Sequence, residues 1–184
     1  MGSRLGKIAV WRAISGGRIA LLTGIVLGLS GCLVSQDPLV APGEAAFPLA
    51  DLASAERLRP KGETDWEHDD NEAARRTGSS YIVTHEDGEE MELTLKRIAQ
   101  NTFIAQSKTK EGEYIYGLLV FGPDRIYEYG VDCPDFNAEE AQRYGIVSSK
   151  DSDDCTVSSV EGLAAGYLAY LKKGHKPSGV YVFR

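Results

Sequence analysis

SSYIVTHEDGEEMELTLK, residues 79–96, decides how the rest of the chain is read. Tyr81 and Val83 alternate with Ile82 and Thr84, while Met91, Leu93 and Leu95 alternate with Glu92, Thr94 and Lys96. Period-two alternation puts successive side chains on opposite faces of an extended strand. Asp87-Gly88 lies between the two runs, and glycine accepts the positive φ that a tight hairpin turn demands. The stretch therefore reads as a β-hairpin, its second strand half-buried with one wet face.

Working outward, Gln100-Asn101 is the next turn and Thr102–Lys108 a third strand. Lys110-Glu111-Gly112 turns the chain into Glu113–Phe121, which is apolar on both faces and so is expected to be covered on both. Gly122-Pro123-Asp124 ends that strand and Arg125–Val131 forms a fifth. Connections this short favour an antiparallel meander. Gly179–Arg184, rich in Val, Tyr and Phe, is a final strand.

Helical signals lie between the fifth strand and the last. Asn137 with Glu140 is a variant capping box, and Gly145 ends a short helix. Ser158 with Glu161 opens a longer one. Val160, Leu163, Ala164, Tyr167, Leu168 and Leu171 share a face of it, and Lys172, Lys173 and Gly174 suit its C-terminus. The expected fold class is α+β: five or six antiparallel strands curled around, or packed against, one amphipathic helix, with a second, short helix. A sheet that curls fully resembles calycins in outline, without the signature motifs of lipocalins.

Upstream of the hairpin the pattern is weaker. Residues 33–62 contain Pro38, Pro42, Pro48 and Pro60 and are expected to be a flexible tether. Within them, Leu49–Leu58 reads equally as a short helix or a strand. Residues 64–76 are highly charged and read as a surface loop or frayed helix. The globular domain is thus expected over 63–184.

The N-terminus has a character of its own. Ile19–Leu29 is an uncharged run too short to span a bilayer, preceded by Arg4, Lys7, Arg12 and Arg18 and followed by small residues. This is the three-part pattern of a secretory signal. Leu29-Ser30-Gly31-Cys32 resembles a bacterial lipobox. The resemblance covers about the first 32 residues. It implies cleavage between Gly31 and Cys32 and acylation of Cys32, giving a lipid anchor of two or three chains. Leu33, where retention at the inner membrane usually has Asp, implies sorting to the outer membrane, facing the periplasm. The expected localisation is the bacterial cell envelope, with 1–31 removed as signal peptide.

Four of the chain's 20 basic residues and none of its 27 acidic ones lie in 1–31, so the remainder carries 16 against 27, a formal charge of −11. A body this acidic argues against nucleic acid as a partner and against direct adhesion to anionic lipid. With Cys32 acylated, Cys133 and Cys155 remain, and an even pair in an exported protein is expected to form a disulfide.

No residue set reads as catalytic or metal-binding, and no cofactor signature is present. Glu67-His68-Asp69-Asp70 holds metal-ligating types, but adjacent residues seldom converge on one ion, so it reads as a solvated loop. Asp151, Asp153 and Asp154 read alike. Ser107-Lys108-Thr109-Lys110 fits an S-x-x-K string in the wrong structural setting. An enzyme would need convergence, for instance of His85 with a carboxylate from a neighbouring strand. Tyr114 and Tyr116 share one strand face, as do Tyr127 and Tyr129, and are a possible binding face, since tyrosine joins apolar area to a polar tip. The expectation is a non-enzymatic envelope module that binds a protein or glycan through its sheet. The alternative is a binder of a small apolar ligand, with a cavity between sheet and helix. Membrane-bound lysozyme inhibitors resemble the first in build alone.

Overall fold

The computed structural model describes residues 33–148 and 154–184. The segment read as a signal peptide, Cys32, Asp151 and Asp153 lie outside them. The hairpin of residues 79–96 is present as β4 (Ser80–Thr84) and β5 (Glu90–Ala99). The meander continues through β6 (Thr102–Lys108), β7 (Tyr114–Phe121) and β8 (Arg125–Tyr129), and the last strand is β11 (Gly179–Phe183).

Upstream, the stretch read as a short helix or a strand is a strand, and the charged run read as a surface loop or frayed helix is another. β2 (Leu52–Lys61) and β3 (Asp65–Thr77) form a long antiparallel pair. They complete a closed barrel in the order β2-β3-β4-β5-β6-β7-β8-β11, with β11 pairing back to β2 and β6 to β7. The sheet is therefore an eight-stranded barrel rather than five or six strands. Closure removes the exposed edges at which an open sheet of this length would pair with other chains.

The stretch 33–62 is correspondingly not a tether. β1 (Leu33–Ser35) pairs antiparallel with the start of β7, and Leu33 is fully buried. Tyr116 Oη lies 2.6 Å from Ser35 Oγ and accepts from the Leu39 N–H at 3.1 Å. The Val40 N–H donates to Gln106 Oε1 at 2.8 Å. Residues 46–49 then enter the barrel end, where Tyr81 Oη accepts from the Leu49 N–H and donates to the Leu49 carbonyl. Pro42 and Pro48 shape this path without freeing it.

Apolar residues segregate into two cores on opposite sides of the barrel wall. The inner one joins Tyr81, Val83, Leu93, Leu95, Phe103 and Leu119. The outer one joins Ile104, Tyr116 and Leu118 to α2 (Val160–Lys172) through Leu163, Tyr167 and Tyr170. This explains why β7 is apolar on both faces: one face lines the barrel and the other carries the helix. The helix sits outside a closed barrel, not within a curled sheet. Its N-cap is Ser159, one residue beyond the expected Ser158, and the Ser159 hydroxyl accepts from the Gly162 N–H at 3.1 Å. The short helix α1 (Ala138–Tyr144) has the full capping box of Asn137 and Glu140 and ends on Gly145 at φ 67°.

The crossover from β8 to β11 is fastened covalently. Cys133 is bonded to Cys155, with Cα atoms 5.7 Å apart. Cys155 opens β10 (Cys155–Val157), which pairs with β1 and with β9 (Ile146–Ser148). The bond joins the end of the fifth meander strand to the segment that launches α2.

Candidate functional site

Up-and-down connectivity gives the barrel two ends. The turns at 62–64, 85–89 and 109–113 lie at one, and those at 78–79, 100–101 and 122–124 at the other. The interior is divided accordingly. Its apolar half contains a cavity of about 70 Å³, lined among others by Ala53, Ala55, Ala74, Ala105, Leu119 and Phe183. Side chains usually fill the interior of an eight-stranded barrel or leave room for one small ligand. Here four alanines, contributed by β2, β3 and β6, leave the space. Phe183 lines the cavity and is still 38 % exposed, so the cavity meets solvent at this end.

The other half is polar. A bulge on β3 opposite Arg57 and Leu58 makes this local arrangement: Arg57 pairs with Asp70 and Leu58 with His68, leaving Asp69 as the extra residue. Such a bulge breaks the strict alternation of faces. Asp69 and Asp70, adjacent in sequence, both border one basin of about 590 Å³, together with Arg57, Glu72, His85 and Glu86.

Arg57 forms the floor between the halves. Its Nε and Nη2 donate to Glu128 Oε2 at 3.0 and 2.8 Å, and its Nη1 is paired with Asp69. The Tyr181 hydroxyl lies 3.3 Å from the same Glu128 oxygen. Burial pushes the Glu128 carboxyl upward, against the pull of Arg57. Gly179 leaves room for this pair, since a Cβ there would stand 2.6 Å from Glu128 Oε2.

Above that floor, His85 Nδ1 lies 2.7 Å from Asp70 Oδ2 and 3.7 Å from Glu72 Oε1. Burial would raise Asp70, but hydrogen bonds from His85 and from the Glu86 and Asn71 N–H groups hold it below the usual carboxylate range. An ionised Asp70 only accepts, which places the ring hydrogen of His85 on Nδ1. Glu72 behaves oppositely. Burial pushes it from 4.5 to about 7, helped by Asp70 and Glu128 and opposed by His85 and Arg57. Its Oε1 is buried with no hydrogen-bond partner. Glu72 is also the one residue lining both the basin and the apolar cavity described above.

The site residues expected from sequence are distributed differently. Tyr116 is fully buried, and Tyr114 and Tyr129 pack against the same outer core, Tyr129 edge-on to Tyr170. Tyr127 is half-buried beside them on β8. The four therefore do not form an open binding face; three of them hold α2 and β1 to the barrel. The 67–70 run is not a solvated loop but part of β3. Ser107 is buried on β6 and opens no helix. Of the histidines, His68 and His85 border one basin while His175 stacks on Tyr170. The space between sheet and α2 is filled by Tyr116, Leu118, Leu163 and Tyr167, and the apolar cavity lies inside the barrel instead.

Missed in the sequence were Arg57, Glu72, Glu128 and the alanines. Alternation of Ala53, Ala55 and Arg57, and of Asp70, Glu72 and Ala74, was the available signal. No helix among the described residues is long and apolar enough to cross a membrane. No family model, curated protein or solved structure matches the chain.

Proposed function

We propose that this chain is an envelope lipoprotein, anchored through Cys32, whose barrel holds the apolar end of a small ligand. The observation that carries the reading is the alanine-lined cavity inside the closed barrel. An apolar hole in a packed interior forfeits dispersion contacts and weakens the fold, so its persistence favours an occupant. At about 70 Å³ it is smaller than the roughly 150 Å³ cavity known to take up benzene. The end of a short alkyl chain fits; a whole lipid does not.

The fold changes what the anchor does. Cys32 is bonded directly to Leu33, which is buried and paired in the sheet. An acylated Cys32 would hold the barrel against the bilayer surface rather than let it search on a tether. That arrangement suits capture of a molecule at the membrane more than reach toward a distant protein or glycan, and the tyrosines that favoured such a partner are engaged internally.

The test is a titration of the carbon-13 methyl-labelled protein with 1-hexanol, followed by NMR. Saturable shifts at Val83, Leu93 and Leu119 are expected in the native protein and absent in Ala55→Leu, whose added methyl groups fill the hole. A folded Ala55→Leu variant shifting as the native protein does would refute the reading, as would no saturable shift in either.

A further inference from the structure

We infer that Asp70, Glu72 and His85 form a binding site for a divalent transition-metal ion at the polar end of the barrel. One donor atom from each of the three lies within 4.8 Å of the others. Bonds of about 2.0–2.2 Å from such donors to zinc in its tetrahedral geometry imply spacings between donors of roughly 3.3–3.6 Å. The observed 2.7 Å from His85 to Asp70 and 3.7 Å from His85 to Glu72 bracket that range. Small side-chain rotations, with no strand displacement, would centre an ion.

A carboxylate cluster alone would not carry this, but Glu72 adds an independent observation. Its side chain is only 10 % exposed, borders the basin and leaves Oε1 without a hydrogen bond. A buried carboxylate oxygen that accepts nothing costs free energy unless a ligand supplies the missing contact. A cation is that ligand, because the basin is acidic. Asp69 is taken by Arg57 and Glu89 is paired with Lys110, yet Asp70, Glu72, Glu86 and Asp87 also line its wall.

The donor set selects the class of ion. Imidazole nitrogen suits zinc, iron and nickel, whereas calcium and magnesium are held by oxygen. The surroundings orient the donors as outer-shell partners do in metal sites. Asp70 Oδ1 accepts from the Asn71 N–H at 2.8 Å and the Glu86 N–H at 3.1 Å, which turns Oδ2 inward. On binding, His85 would present its Nδ1 lone pair, its ring hydrogen passing to Nε2 through solvent. Three protein donors leave at least one coordination position open to water or to a ligand.

Glu72 is faced by Asp70 on its own strand, by His85, by Arg57 on β2, by Glu128 on β8 and by Tyr181 on β11. The inference stands apart from the alanine-lined cavity, and either could fail alone.

The experiment is calorimetric titration of the full-length, chelator-stripped protein with zinc chloride, with calcium chloride as the hard-ion comparison. One zinc ion per chain is expected. Glu72→Gln and His85→Ala should each weaken it about 100-fold, with Asp124→Asn, at the other end of the barrel, within twofold of native. In the unaltered protein, manganese should broaden the amide signals of Asp70, Glu72 and His85 first. Equal zinc affinity in native, Glu72→Gln and His85→Ala proteins would overturn the site. Broadening centred elsewhere, or no binding at 1 mM zinc, would do so too.

Discussion

Glu72 concentrates the tension in this molecule at the scale of one residue. An acid whose pKa rises on folding favours the folded state only while it is protonated. Its folded value of about 7 against an ordinary 4.5 means the native state holds more protons across that window. Stability is then present below about pH 4.5 and is lost as pH climbs toward 7. At about 1.4 kcal/mol per unit the loss is on the order of 3 kcal/mol. Asp70, lowered rather than raised, acts in the opposite sense below its ordinary value of 3.8, outside this window. Glu72→Gln should therefore be no more stable than the native protein at pH 4.5 and clearly more stable at pH 7.5. Thermal unfolding followed by circular dichroism at the two pH values checks this, and parallel curves for the two proteins would show the burial of Glu72 to be inconsequential.

Among the elements, the strands from 80 to 129 were legible because their inward positions are large and apolar and their turns carry glycine. β2 was legible only as helix or strand and β3 not at all, for a physical reason. Their inward positions hold Ala53, Ala55, Arg57, Glu72 and Ala74, small or charged side chains that do not register as a buried face. The bulge at Asp69 further breaks the period. The polar site was legible only in outline, as His85 meeting a carboxylate of a neighbouring strand and as Asp70 among metal-ligating types, because its donors come from β3 and the residue after β4, brought together only by pairing. The disulfide, by contrast, was legible from cysteine number and compartment. It closes a span of 22 residues, and the chain-entropy account assigns it about 3 kcal/mol. Replacing both Cys133 and Cys155 with Ser should lower the unfolding midpoint by roughly 10 °C. An unchanged midpoint in calorimetry would mean that β1, β9 and β10 alone fasten the crossover.

At the scale of the whole molecule, closure of the barrel creates an inside, and the chain divides that inside between apolar side chains and charges. A tether was expected and the fold absorbs it, so the proposed anchor and the proposed container are neighbours. The central claim is that the apolar half is a container. It is tested most directly by native mass spectrometry of the protein gently extracted from the membranes of its own host. The native chain should carry a small extra mass, lost on denaturation and identified by extraction as a molecule with a short apolar end. Ala55→Leu, purified alongside, should fly bare. Native and variant chains of identical, unadorned mass under conditions that preserve the barrel would contradict the account.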